Sequence, residues 1–80
     1  MRPITTPECD QLIDMIELGL KSNIFEYQKR KDAEAALERL IQKPCPKGIE
    51  YIMNESCKYP FTDSFARRIW KRAKEGLEQI

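Results

Sequence analysis

Apolar residues in this 80-residue chain recur at intervals of three and four along successive segments, and nowhere do they alternate with period two for long enough to make a regular strand. That spacing lines one face of a helix, whereas a half-buried strand needs its apolar residues on every second position. The expected fold class is therefore all-α. A chain this short holds one small domain over residues 1–80, built as a bundle of three to four helices with short connectors.

Local capping chemistry sets the expected boundaries. Thr6, Pro7 and Glu8 place a capping hydroxyl, a residue that needs no N–H and a carboxylate at the positive end of a helix dipole, which predicts a helix over 7–20. Its buried face is Cys9, Leu12, Ile13, Ile16 and Leu20, with the acids Asp10, Asp14 and Glu17 along one flank. Met15 and Leu18 widen the apolar arc beyond what one packing face requires. Asn23 and Glu26 have capping-box spacing, so a second helix is expected over 24–43, with Ala33, Leu37, Leu40 and Ile41 as its seam.

Pro44 and Pro46 end that helix or open the next one, expected over 47–57 with Ile49, Ile52, Met53 and Cys57 on its inner face. A short strand through 50–53 is the alternative. Lys58, Tyr59, Pro60 and Phe61 read as a four-residue turn, and Thr62 or Asp63 caps a last helix over 63–79. This helix carries the cleanest apolar stripe: Phe65, Ile69, Ala73, Gly76, Leu77 and Ile80, with Trp70 on its border.

Charge is balanced overall, at +1, but unevenly placed. Residues 1–28 carry two basic and five acidic side chains, whereas residues 63–80 carry five and three. Arg67, Arg68, Lys71, Arg72 and Lys74 sweep the outer side of the last helix. The pairs Arg67 with Lys71 and Arg68 with Arg72 repel one another at i, i+4. Such an arrangement calls for an anionic partner: phosphate, an acidic protein surface, or the chain's own acidic first helix. A second basic run, Lys29 to Lys31, widens that surface if the fold brings it close.

Several functions are excluded on residue type. There is no histidine, and Cys9, Cys45 and Cys57 contain no C-x2-C pair, so neither a zinc site nor a His-activated nucleophile is expected. The three glycines, Gly19, Gly48 and Gly76, stand apart and form no phosphate loop. No cofactor, small-molecule substrate or enzymatic activity is expected. An odd number of cysteines and the lack of a charged and then apolar leader fit a reducing compartment, the cytoplasm, and no apolar run approaches the ~20 residues of a membrane span. Cys45, between Lys43 and Lys47, is expected to be the exposed thiol, whose pKa those lysines could lower, with Cys9 and Cys57 in the core.

Two readings of function remain. The first is a non-enzymatic helical interaction module that binds another protein or a second copy of itself, through Met15, Leu18, Asp10, Asp14 and Glu17. Tyr27, Tyr51, Tyr59 and Trp70 are further candidates for its edge. The alternative is a small nucleic-acid-binding regulator, with Ser64, Arg67, Arg68, Lys71, Arg72 and Lys74 presented by a helix-turn-helix.

Overall fold

The computed structural model describes residues 4–23, 25–60 and 62–79, and the four periodic segments in it are helices. They are α1 (Pro7–Lys21), α2 (Tyr27–Gln42), α3 (Pro46–Ser56) and α4 (Ser64–Glu78). No strand occurs among the described residues, and segment 50–53 lies inside α3. The Ile80 end of the α4 stripe and Phe61 of the turn fall outside the described residues.

The caps explain most boundaries. Thr6 accepts a hydrogen bond from the Cys9 N–H at 3.3 Å, and Pro7 occupies the first turn of α1. Pro46 opens α3 in the same way. Of the two candidates at the start of α4, Asp63 is the cap, accepting from the Ala66 N–H at 3.0 Å.

The start of α2 departs from expectation. Asn23 caps no helix: its side chain accepts from the Phe25 N–H at 2.8 Å and its carbonyl from the Glu26 N–H at 3.1 Å, which ties Phe25 and Glu26 back to Asn23 and delays the helix to Tyr27. No acid stands in the first turn of α2, where Lys29, Arg30 and Lys31 oppose the dipole. Local contacts compensate: Lys29 pairs with Glu26 at 2.6 Å, and Arg30 donates to the Ser22 carbonyl at 3.2 Å.

Short connectors pair α1 with α2 and α3 with α4 as two antiparallel hairpins. Their mutual placement is fixed by side chains. Glu34 and Glu38 of α2 meet Arg68 and Arg72 of α4 in the same order, so these two helices run side by side in one direction. Gly48 faces Ile13, which sets α3 beside α1. Both corners, 22–26 and 57–63, consequently share one end of the bundle, where Arg30 lies 4.9 Å from the centre of the Phe65 ring. The 43–45 connector lies at the other end, tied by a Lys43–Glu8 ion pair.

Each helix gives two of the largest fully buried side chains to a common core: Ile13 and Ile16, Leu37 and Leu40, Ile49 and Ile52, Phe65 and Ile69. Neither hairpin has a core of its own. Two glycines let the helices approach closely. A Cβ on Gly19 would stand 2.3 Å from the Ala33 Cβ, and one on Gly76 would stand 2.6 Å from Ile41 Cγ1. The radius of gyration, 11.4 Å, matches the ~12 Å of a fully packed chain of this length, so no described segment is flung outward.

Candidate functional site

The outward face of α1 is what the hairpin geometry leaves uncovered. At ~100° per residue, Cys9, Leu12, Ile13, Ile16 and Leu20 point to α2 and α3, and Leu18 falls roughly opposite them. Leu18 is 56% exposed and Met15 is 40% exposed, so both apolar side chains keep contact with water. The expected acidic flank is less uniform than the sequence implied. Asp14 is exposed, Asp10 is half-buried and accepts from the Thr5 hydroxyl at 2.7 Å, and Glu17 is half-buried. Burial raises the pKa of the Tyr59 phenol, and the carboxylates of Glu55, Asp63 and Glu17 push it the same way. Glu17 therefore belongs to the α3–α4 corner as much as to α1.

At the corner end, Phe25 is 90% exposed and Tyr27 is 64% exposed, with Lys31 5.0 Å from the Tyr27 ring. Antiparallel pairing puts these residues at the end of the bundle where α1 finishes, next to the turn that carries Leu18. Phe25 was passed over because the expected helix over 24–43 includes it off the seam of Ala33, Leu37, Leu40 and Ile41, whereas in the structure it precedes α2. The signal available was a large apolar residue outside every helical stripe.

The basic sector of α4 is divided by its neighbour. Arg72 donates to both carboxylate oxygens of Glu38, at 2.5 and 2.7 Å, and Arg68 pairs with Glu34 at 3.0 Å. The Arg72 guanidinium holds the Glu38 carboxyl below the usual range, with its hydrogen bond the largest cause, and Arg72 is raised in return. Acids of α2, not of α1, thus meet these cations. Ser64, Arg67, Lys71 and Lys74 remain on the exposed side, and Lys74 lies 5.3 Å from the Trp70 ring. The Lys29–Lys31 run does come close to this sector: Arg30 and Arg68 lie 4.9 and 5.8 Å from the centre of the same Phe65 ring, and Lys31 lines one hollow with Arg68 and Arg72, in which Glu34 and Glu38 also stand.

Between the end of α3 and the first turns of α4 lies an open groove of about 790 Å³. Tyr59, Pro60, Ala66 and Trp70 line it, with Ser64, Arg67 and Lys71 at its rim and Cys57 at its α3 end. The connector here spans 57–63, longer than the expected four-residue turn and than the three- to four-residue turn of a helix-turn-helix.

The cysteines exchange expected roles. Cys57 is exposed, and Ser56 takes the buried position beside it, donating its hydroxyl to the Met53 carbonyl at 2.8 Å. Cys45 is half-buried and lines a hollow with Cys9. Burial pushes the Cys45 thiol up, as do the nearby Cys9 and Asp10, against a backbone N–H of Gly48 that pulls it down. Lys43 and Lys47 therefore do not activate it. Among the described residues no group of three or more Cys, Asp or Glu side chains is placed to hold a metal ion, and no helix is long and apolar enough to cross a membrane.

The fold defines the class: over the described residues, a small all-α bundle of four helices. Compared with protein-family models, curated proteins and solved structures, the chain matches none.

Proposed function

We propose that the protein is a non-enzymatic interaction module that binds another protein through the outward face of α1. The observation that carries this reading is the exposure of Leu18 and Met15 at 56% and 40%, on the side of α1 turned away from the core. An apolar side chain on an outer helix face loses contact with water only when a partner arrives, and burying a leucine contributes ~2 kcal/mol. Asp14, Lys21 and Gln11 surround Leu18 with polar groups, in the manner of an apolar interface centre with a polar rim. Phe25 and Tyr27 extend the same contact around the corner end.

The alternative, a nucleic-acid-binding regulator, has less support. Arg68 and Arg72 are committed to Glu34 and Glu38, and Glu75 and Glu78 stand exposed beside Lys71 and Lys74, where they would repel phosphates. Its remaining basis is the outward set Ser64, Arg67, Lys71 and Lys74.

The test places a photo-crosslinking amino acid at position 18, and at position 39 of α2 as a control. A discrete protein adduct is expected from position 18 only, and it should disappear when Met15 is changed to Glu. Twice the protomer mass would identify the partner as a second copy. Absence of any adduct at position 18, together with salt-sensitive binding of a labelled duplex that Lys71→Glu abolishes, would establish the alternative instead.

A further inference from the structure

A second face carries an inference that goes beyond the α1 reading and does not depend on it. We infer that the α3–α4 groove is a docking site for a short acidic amphipathic helix of a partner protein. Three observations bear on its occupant. The groove, about 790 Å³, is floored by the side chains of Tyr59, Pro60, Ala66 and Trp70, which suits leucine- or phenylalanine-sized groups. Its rim carries Arg67 and Lys71, and no aspartate or glutamate is among the described side chains that line it. Arg67 and Lys71 are four residues apart on one helix, hence separated by about one turn, ~5.4 Å along the axis.

Cations one turn apart are complementary to carboxylates one turn apart. An incoming helix with acids at i and i+4 and apolar residues at i+3 and i+7 would seat both sets at once, which is the helix-in-groove mode of recognition. Charge complementarity of this kind sets on-rate and orientation, while the aromatic floor supplies most of the affinity. A bare phosphate track fits less well, because it offers nothing apolar to the Tyr59, Pro60, Ala66 and Trp70 lining.

The groove has its own reporter, since Trp70 is the only tryptophan of the chain. The experiment titrates the intact protein with a synthetic helix-forming peptide bearing Leu and Phe on one face and Asp and Glu on the other. The same peptide with Lys replacing its acids, and a short oligothymidylate, serve as comparisons. The expected result is a saturable change in Trp70 fluorescence with the acidic peptide and none with the basic one. In R67E/K71E the acidic peptide should bind on the order of tenfold more weakly, from two surface charge contacts turned repulsive. Both positions are exposed, so the fold should survive, and unchanged circular dichroism would verify it. Capping Cys57 with a bulky maleimide should likewise block the titration. The proposal is overturned if Trp70 does not respond to the acidic peptide at low salt, if the charge reversal leaves affinity unchanged, or if the oligothymidylate binds more tightly than the peptide.

Discussion

The tightest of the glycine contacts, Gly19 of α1 against Ala33 of α2, gives the sharpest prediction. Replacing Gly19 with Ala in a helix interior should stabilise the protein by ~1 kcal/mol on propensity alone. The added Cβ would, however, lie 2.3 Å from the Ala33 Cβ and 3.1 Å from the Lys29 carbonyl oxygen. Both atoms are fixed to the α2 backbone and cannot rotate aside, so α1 and α2 must part by about an ångström or more. Overpacking of this kind costs ~3 kcal/mol at the upper end of its range, which leaves a net loss of roughly 2 kcal/mol and a fall in Tm of roughly 10 °C. Ala33→Gly alone should also cost about 2 kcal/mol, from helix propensity and one lost buried methyl. In the double variant the methyl changes sides and the contact is restored, so stability should return to within ~1 kcal/mol of the parent, a coupling of about 3 kcal/mol. Urea unfolding followed by far-ultraviolet circular dichroism measures all four proteins. A stabilised Gly19→Ala, or single effects that simply add, would refute the close packing on which the α1–α2 hairpin rests.

Other outcomes follow from the same contacts. Gly76→Ala should cost less than Gly19→Ala in the same urea assay, because the atoms it meets, Ile41 Cγ1 at 2.6 Å and Cδ1 at 2.8 Å, belong to a side chain with its own rotamers, whereas Gly19 meets atoms fixed to the α2 backbone. Maleimide labelling followed by mass spectrometry should modify Cys57 first. Cys45 should react later, with its pH profile displaced upward by its raised thiol pKa, and Cys9 only on unfolding. The lowered Glu38 carboxyl means that its pair with Arg72 contributes fully above the unfolded carboxylate pKa and is lost as pH falls through the folded, lower value. The stability advantage of the parent over Glu38→Gln should therefore shrink below about pH 4, from at most ~1 kcal/mol given side chains 34% and 45% exposed. An advantage that grew on acidification would contradict the pairing.

The fold was legible where a boundary depends on one local residue, a capping side chain or a proline. Thr6, Pro7, Pro46 and the Asp63 region are such places, and the inner faces of α1, α2 and α4 followed from period alone. The start of α2 was not legible, because Asn23 can cap a helix or close a turn with the same side chain, and the choice depends on what packs at the corner. The inner face of α3 was misassigned at its end by favouring residue type over angle. Seven residues after Ile49 the helix returns to within about 20° of it, at Ser56, whereas eight residues overshoot by about 80°, at Cys57. Of the candidate surfaces, Met15 and Leu18 stood out as surplus apolar residues. The division of the α4 cations did not, since nothing local says which helix lies alongside. Glu34 and Glu38 did repeat the four-residue spacing of Arg68 and Arg72, and that match was the overlooked signal.

The pairing of each helix mainly with its neighbour in the chain has a kinetic consequence. Most contacts close short loops, so little chain entropy must be surrendered before they form, and folding should be fast. Because all four helices share one set of buried side chains, the two halves meeting at the 43–45 connector gain cooperativity only on joining. A chain cut there would consist of two fragments, each poorly ordered alone and each the template for the other, which makes the middle connector the natural seam for splitting and reassembling this protein.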